Sequence, residues 1–152
     1  MKIEGSFRVK APTDRVWQYI RDPDQVAPCV PGCEKVEVTG PTTYAATVKV
    51  ALGPIKTSFR VTVEVTTEEP PRFIASVTRG EEGGRASTLT AHNELRLEEV
   101  DPATTEVRYS SEVSIFGRLG KYGLGMMKKK AETIGADFAR TFAARVEQGA
   151  DA

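Results

Sequence analysis

The order of the predicted elements limits the possible folds of this chain most strongly: six strand-patterned segments are followed by one long amphipathic helix. Short turns rich in Gly and Pro separate the segments, which is typical of an antiparallel meander. The segments are Glu34–Thr39, Tyr44–Leu52, Ile55–Thr67, Arg72–Arg79, Ala86–Glu98 and Glu106–Phe116. From about residue 118 to residue 148 the period becomes helical, and the apolar stripe is Leu124, Met127, Ala131, Ile134, Phe138, Phe142 and Val146.

The first 33 residues predict one more strand and a broken helical region. Residues 2–10 alternate between apolar and polar side chains, the period of a half-buried strand. Pro12 and Asp14 suit the first turn of a helix that follows this strand. Residues 22–32, called here the helical flap, hold prolines that prevent a continuous helix: Pro23, Pro28 and Pro31. We expect this bent flap to close over a cavity.

This order of elements predicts an α+β fold. A seven-stranded antiparallel curved sheet would wrap around the long C-terminal helix, with two short helices after strand 1. We expect one domain over residues 1–148 and a short tail over residues 149–152. Alternate strand residues would face the helix: Tyr44, Ala46, Val48, Val50, Ile55, Thr57, Phe59, Val61, Val63, Phe73, Ala75, Val77, Leu89, Ala91, Asn93, Leu95, Val107, Tyr109, Ser111, Val113 and Ile115.

Charge and composition exclude several classes of function. The chain of 152 residues has 21 Lys and Arg against 21 Asp and Glu, so no net field favours nucleic acid. It has no apolar run long enough to cross a bilayer and no apolar signal core, which predicts a cytoplasmic protein. Cys29 and Cys33 are expected to be free structural thiols. Their spacing and the distant His92 do not predict a metal site.

The predicted inner face is apolar and includes small residues such as Ala46, Ala75 and Ala91. Small side chains on an inner face leave space for a ligand, because ligand pockets are mostly apolar with a few polar groups. Ordinary core packing explains the same pattern when the polar residues are hydrogen-bonded. The pattern alone leaves both interpretations open.

Catalytic chemistry finds little support in the sequence, and we predict that the protein is not an enzyme. His92 has the opposite parity from the inner face and should point to solvent. No nucleophile and base fall on one face. A pairing of Tyr109 or Asn93 with a carboxylate such as Glu112 is the one route to catalysis, and alternation points Glu112 outward.

The segment Gly117–Lys130 combines four glycines with five basic residues. Glycine weakens a helix by up to ~1 kcal/mol relative to Ala, so the start of the long helix is either mobile or closely packed. We expect Leu119, Tyr122 and Met126 to be exposed beside the lysines. That arrangement suits an anionic membrane surface, and it also suits a solvated basic face next to core residues.

Four stretches of the chain carry a resemblance to a known family: Asp22–Glu34, Leu52–Lys56, Gly80–Ala86 and Phe116–Gly120. They resemble the CoxG family of carbon monoxide dehydrogenase subunits, which belongs to the START-like (SRPBCC) helix-grip superfamily. The resemblance implies a non-catalytic accessory protein of molybdenum hydroxylases of the carbon monoxide dehydrogenase type. It further implies a lipophilic ligand, a quinone or another lipid, held without a covalent cofactor, and a link to the membrane. Some members carry a C-terminal anchor that this sequence lacks, so we expect transient contact at the inner face of the plasma membrane.

Under this hypothesis the residues divide into two sets. The ligand-binding set is Trp17, Val30, Pro31, Phe59, Val61, Leu89, Ala91, Asn93, Tyr109, Ser111, Val113, Met127, Ala131, Ile134 and Phe138. The membrane or partner contacts are Leu119, Lys121, Tyr122, Met126 and Lys129. The alternative is a protein adaptor with a filled core that docks through the flap and the Gly/Lys segment. An enzyme resembling the cyclases and hydrolases of this fold is a third hypothesis.

Overall fold

The computed structural model describes residues 1–122 and 124–149. The elements before the first hairpin are β1 (Lys2–Val9), α1 (Thr13–Ile20), α2 (Pro23–Val26), a 3-10 turn (Ala27–Cys29) and β2 (Cys33–Val38). The following strands are β3 (Thr43–Leu52), β4 (Ile55–Glu69), β5 (Phe73–Glu82), β6 (Ser87–Asp101) and β7 (Thr104–Gly117), with a 3-10 turn (Gly83–Arg85) between β5 and β6. A third 3-10 turn (Arg118–Tyr122) leads to α3 (Leu124–Gly149). The predicted fold is confirmed.

The seven strands form one antiparallel sheet in the order β1-β7-β6-β5-β4-β3-β2. Strands β2 to β7 pair with their neighbours in sequence, as a meander requires. The first strand breaks this rule, because β1 pairs with the last strand, and Lys2 lies opposite Glu112. The N-terminal residues are therefore carried to the edge of the sheet beside β7.

The cross-strand register corrects the prediction for β5. Val63 lies opposite Thr78, and Thr78 lies opposite Ala91, so Thr78 shares the inner face. The inner residues of β5 are Ile74, Ser76, Thr78, Gly80 and Glu82; the prediction of Phe73, Ala75 and Val77 is wrong. The pattern misled because β5 has apolar residues on both faces. On the outer face, the Arg96 guanidinium lies 4.5 Å from the centre of the Phe73 ring and covers it.

The core consists of two packed clusters at opposite ends of α3. The first surrounds α1 and the C-terminal half of α3, and includes Val9, Trp17, Cys29, Phe142 and Val146. The second lies at the other end of the sheet and consists of Leu52, Phe59, Leu119 and Met127. Between the clusters, the inward residues of α3 are only half-buried: Ala131, Ile134 and Phe138. The core is thus closed at both ends and looser in the middle.

The helical flap follows the prediction closely. Pro23 begins α2 and the 3-10 turn contains Pro28, so the prolines break this region into two short pieces. The side chain of Asp22 accepts a hydrogen bond from the Asp24 N–H at 3.0 Å and caps α2. Cys29 is buried in the first cluster, and both cysteines are free thiols.

The backbone of α3 approaches β1 more closely than it approaches β3, β4, β5 or β6. Because the sheet curves around the helix while the helix lies near one edge strand, the middle strands stand off from it. This separation positions the space between the two clusters.

Two glycines near the start of α3 predict opposite effects of substitution. Gly117 has a φ of +97°, and a Cβ there would overlap the Ala86 carbonyl oxygen. Gly125 is helical, and its Cβ would meet nothing within 4 Å. We expect Gly117→Ala to lower the free energy of unfolding by ~1–3 kcal/mol or more. Gly125→Ala should raise the free energy of unfolding by no more than ~1 kcal/mol. Thermal unfolding measures both; equal shifts for the two variants would contradict this account of the turn.

Candidate ligand-binding site

A cavity of about 290 Å³ lies between the sheet and α3, in the region between the two packed clusters. It is called here the larger lobe. The flap, β1, β6, β7 and α3 all contribute to its lining: Ile3, Val30, Leu95, Tyr109, Ser111, Val113, Ala131, Ile134, Gly135 and Phe138. Most of these side chains are apolar, and the small residues Ala131 and Gly135 leave room beside the sheet.

A second cavity of about 200 Å³, called the smaller lobe, adjoins the first. The two share Leu95, Tyr109 and Phe138 in their linings. The smaller lobe adds apolar residues from α1, the flap and the middle strands: Ile20, Val26, Val65 and Ile74. It also adds the polar residues Tyr44, Ser76, Asn93, Glu94 and Ser110.

A row of hydrogen-bonded polar side chains crosses the inner face of β5, β6 and β7. The Asn93 amide donates to Ser76 Oγ at 3.3 Å and to Thr78 Oγ1 at 3.0 Å. Ser111 Oγ donates to Asn93 Oδ1 at 2.7 Å. This row satisfies the Asn93 amide within an otherwise apolar surface.

Two glycines on facing elements leave room for the side chain of Tyr109. A Cβ at Gly5 of β1 would lie 2.5 Å from the Tyr109 hydroxyl oxygen, and a Cβ at Gly135 of α3 would lie 3.1 Å from it. The absence of side chains at both positions therefore lets the phenol extend between the sheet and the helix. Its ring centre lies 6.3 Å from that of Phe7.

The structure brings together about half of the predicted ligand-binding set. The larger lobe is lined by Val30, Tyr109, Ser111, Val113, Ala131, Ile134 and Phe138, and the smaller lobe by Asn93, Tyr109 and Phe138. Other predicted residues lie in the packed clusters: Trp17 in the first, and Phe59, Val61, Leu89 and Met127 in or against the second. Ala91 is buried in the sheet and Pro31 is half-buried in the flap, and neither belongs to the lobes.

Several residues that line the two lobes were absent from the predicted ligand-binding set. Ile3 belongs to β1, whose pairing with β7 no local pattern reveals. Gly135 has no apolar side chain and was therefore left out of the helical stripe. Ser76 was missed because the parity of β5 was assigned to the wrong face, whereas Tyr44 and Leu95 were predicted to face inward without being included among the wall residues.

The contact set predicted at the start of α3 needs one correction. Leu119 is only 3% exposed, because it packs in the second cluster, so the expectation of an exposed Leu119 is wrong. Met126 is 46% exposed and Lys129 is exposed. The side chains of Lys121 and Tyr122 lie outside the described residues. Phe116, 70% exposed on the outer face, was not predicted.

A buried carboxylate fastens the connection between β7 and α3 to the sheet. Glu82, at the end of β5, is only 2% exposed. Arg118 donates to both of its oxygens, through Nε at 2.7 Å and Nη2 at 2.8 Å. Thr57 and Ser87 also donate to this carboxylate, and Ser87 Oγ accepts the Leu119 N–H at 3.0 Å. The Arg118 guanidinium holds the pKa of Glu82 at about 2, below its ordinary 4.5, with smaller contributions from the two hydroxyls.

A larger depression, of about 740 Å³, lies on the other side of the sheet. Its floor holds small outward residues such as Ala45, Thr62 and Thr90, and charged side chains such as Arg60 and Arg79 stand around it. An open, polar groove of this kind suits water better than a lipophilic molecule. The interior lobes are therefore the better candidate for an apolar ligand.

His92 and Glu112, the two residues considered for catalysis from the sequence, lie away from both lobes. His92 and Glu112 are exposed on the outer face, as predicted, and Glu112 binds the N-terminal amine at 3.3 Å. Across residues 1–122 and 124–149, no group of three or more His, Cys, Asp or Glu side chains is placed to hold a metal ion.

None of the described helices combines the length and the apolar character that a membrane span requires.

Comparison with known families decides the classification. Residues 5–147 match the family model for the CoxG subunit of carbon monoxide dehydrogenase. The chain belongs to the CoxG family. A search of curated proteins found no match. CoxG is a family of accessory subunits, which makes an accessory subunit the coarse functional class.

Solved structures show the fold of this CoxG-family protein independently. A conserved protein from Geobacillus kaustophilus superposes with a TM-score of 0.90 at 22% identity, over 97% of this chain and 96% of that one. A START superfamily protein from Mycobacterium smegmatis superposes with a TM-score of 0.76 at 15% identity, over 97% of each chain. The Zhui aromatase/cyclase from Streptomyces sp. R1128 superposes with a TM-score of 0.70 at 20% identity, over 97% of this chain and 94% of that one. The fold is therefore START-like.

The low pKa of Glu82 predicts how the free energy of unfolding depends on pH. A folded-state pKa of about 2 against an ordinary 4.5 means that its contribution is complete above pH 4.5 and is lost as the pH falls towards 2. We expect Glu82→Gln to be ~1–3 kcal/mol less stable at pH 7, because Arg118 loses its charged partner. The difference from the wild type should shrink between pH 4.5 and 2.

Urea unfolding at a series of pH values measures this difference. Glu64→Gln, at an exposed position of β4, is the matched control and should follow the wild type throughout. A constant difference between Glu82→Gln and the wild type from pH 7 to pH 2 would contradict the ionised, Arg-paired carboxylate.

Proposed function

We propose that this CoxG-family protein is a non-catalytic carrier of a lipophilic small molecule, a quinone, that serves a molybdenum hydroxylase of the carbon monoxide dehydrogenase type. The observation that carries the proposal is the apolar cavity between the sheet and α3. Its walls come from five elements that distant parts of the chain supply. The two lobes together fall within the roughly 300–1,000 Å³ typical of small-molecule sites.

The affinity of such a ligand would come from burying apolar surface. At roughly 25 cal/mol per Å², a chain that buries about 300 Å² gains about 7 kcal/mol before the entropic cost of binding is subtracted. A quinone adds two carbonyl oxygens that accept hydrogen bonds, and the polar side chains of the smaller lobe offer hydroxyl groups in an apolar setting. The ligand would be held without a covalent bond.

The family description supports the choice of protein partner, and the nature of the ligand supports the choice of membrane contact. CoxG is named as a subunit of carbon monoxide dehydrogenase, so we propose hydroxylase subunits as the protein partner. A carrier of a membrane-soluble quinone must reach the bilayer. We propose a transient contact at the inner face of the plasma membrane, through the exposed Met126 and the basic first turns of α3.

One observation favours a second candidate, an adaptor without a ligand. Each lobe alone is smaller than the lower end of the ligand-pocket range of about 300 Å³, and both ends of the core are packed. Such a protein would dock on the hydroxylase with no occupant in the lobes. An enzyme is a weaker candidate, because Arg118 holds the pKa of the buried Glu82 at about 2, far from the neutral pH at which a proton-transfer group would have to work.

Filling the larger lobe tests the carrier against the adaptor. Ala131 lines that lobe, whereas Ala136 is exposed on the opposite side of the same helix. We expect Ala131→Phe to abolish ligand binding and Ala136→Phe to leave it unchanged. Native mass spectrometry of protein purified under mild conditions, followed by organic extraction, identifies the occupant. A wild type that is empty and shows no thermal shift with quinones would favour the adaptor.

Charge reversal at the start of α3 tests the membrane contact. Near an anionic surface each lysine contributes about 1 kcal/mol, so Lys129→Glu should weaken binding to vesicles with phosphatidylserine about fivefold or more. Lys10→Glu is the control, since Lys10 is exposed near the C-terminal end of α3, where its N–H binds Glu147. Co-sedimentation measures both, and equal losses in the two variants would contradict a contact localised at the first turns.

A further inference from the structure

The two lobes of the cavity differ in chemistry. In the larger lobe, apolar side chains from β1, the flap, β7 and α3 surround the space, and Tyr109 and Ser111 are the polar members. The smaller lobe is lined by the side chains of Tyr44, Ser76 and Asn93 in addition to Tyr109. A ligand with one polar end and one apolar end therefore has two distinct environments available.

The hydroxyl groups of the smaller lobe are placed to donate. Ser76 Oγ accepts from the Asn93 amide at 3.3 Å, so its own O–H proton is left for another acceptor. The hydroxyls of Tyr44 and Tyr109 make no hydrogen bond to any residue in the described part of the chain. No fully buried side-chain polar atom there lacks a partner, so these two hydroxyls reach accessible space.

The protonation state of Tyr44 supports its role as a donor. Burial raises the pKa of its phenol, and the nearby Cys33 thiol adds a smaller contribution in the same direction. The hydroxyl therefore remains protonated at neutral pH. An unpaired donor in a partly desolvated place favours a ligand that supplies an acceptor, since a hydrocarbon would leave the hydroxyl unsatisfied.

We propose that the smaller lobe holds an oxygen-bearing head of the ligand, and that Tyr44 and Ser76 donate hydrogen bonds to its carbonyl-type oxygens while the larger lobe holds its apolar chain. This inference rests on the proposed function, because it requires a lipophilic ligand in the cavity. Tyr109 lines both lobes, but its hydroxyl lies beside Gly5 and Gly135, on the side of the larger lobe. The hydroxyls of Tyr44 and Ser76 thereby set specificity for the head.

Two probes with the same chain separate this inference from the proposed function. One is a 1,4-benzoquinone with a two-isoprene side chain, and the other is benzene carrying the identical chain. We expect wild-type protein to bind the quinone at least about tenfold more tightly, since each hydrogen bond is worth roughly 2- to 12-fold in affinity. Tyr44→Phe should weaken quinone binding about 3- to 10-fold, and Tyr44→Phe with Ser76→Ala about 10- to 100-fold, with hydrocarbon binding unchanged.

Tyr19→Phe is the matched control. Tyr19 packs against the first cluster, with the Arg15 guanidinium 5.7 Å from its ring centre, and lies outside both lobes. The Tyr19→Phe variant should bind both probes as the wild type does, and Ser76→Ala alone gives a second variant in case Tyr44→Phe unfolds the protein. If the wild type binds both probes equally, or if Tyr44→Phe weakens both alike, the inference is overturned while the carrier function stands. If neither probe binds, both the inference about the head and the proposed carrier function are overturned.

Discussion

The antiparallel pairing of β1 with β7 determines where the helices meet the sheet. It brings Ile3 and Gly5 beside β7, places α1 next to the C-terminal half of α3, and gives the helix its nearest neighbour in the sheet. Without β1, the edge of β7 would be unpaired and α3 would lose this neighbour. The pair therefore positions the β1 side of the larger lobe, and the flap follows β1 and α1 along the chain.

The contrast between packed ends and a looser middle follows from residue size. Phe142 and Val146 fill one end, with no exposure, and Leu119 and Met127 close the other. Between them, Ala131 and Gly135 of α3 and Gly5 of β1 contribute little or no side-chain volume, so the phenol of Tyr109 and the two lobes occupy the space. Protein interiors are otherwise close-packed, so the gap in the middle of the helix–sheet interface is the feature on which the proposed carrier function depends.

The element order and the fold could be predicted from the sequence, because strand periodicity, proline breaks and the helical stripe are local signals. The site was predictable only in part. Val30, Ala131 and Phe138 followed from local patterns, whereas Ile3 depended on a long-range pairing and Ser76 on a register that apolar residues on both faces of β5 obscured. Leu119 was misplaced for a related reason: its burial depends on the Glu82–Arg118–Ser87 network, which joins residues more than 30 positions apart.

The flap contains two adjacent residues with different surroundings. Cys29 is 2% exposed in the first cluster, and Val30, the next residue, lines the larger lobe. Because the two residues are adjacent, a backbone movement of the flap at Val30 would also displace Cys29. Burial raises the pKa of that thiol and lowers its reactivity. If the flap moves, the accessibility of one sulfur atom therefore changes together with the wall of the larger lobe.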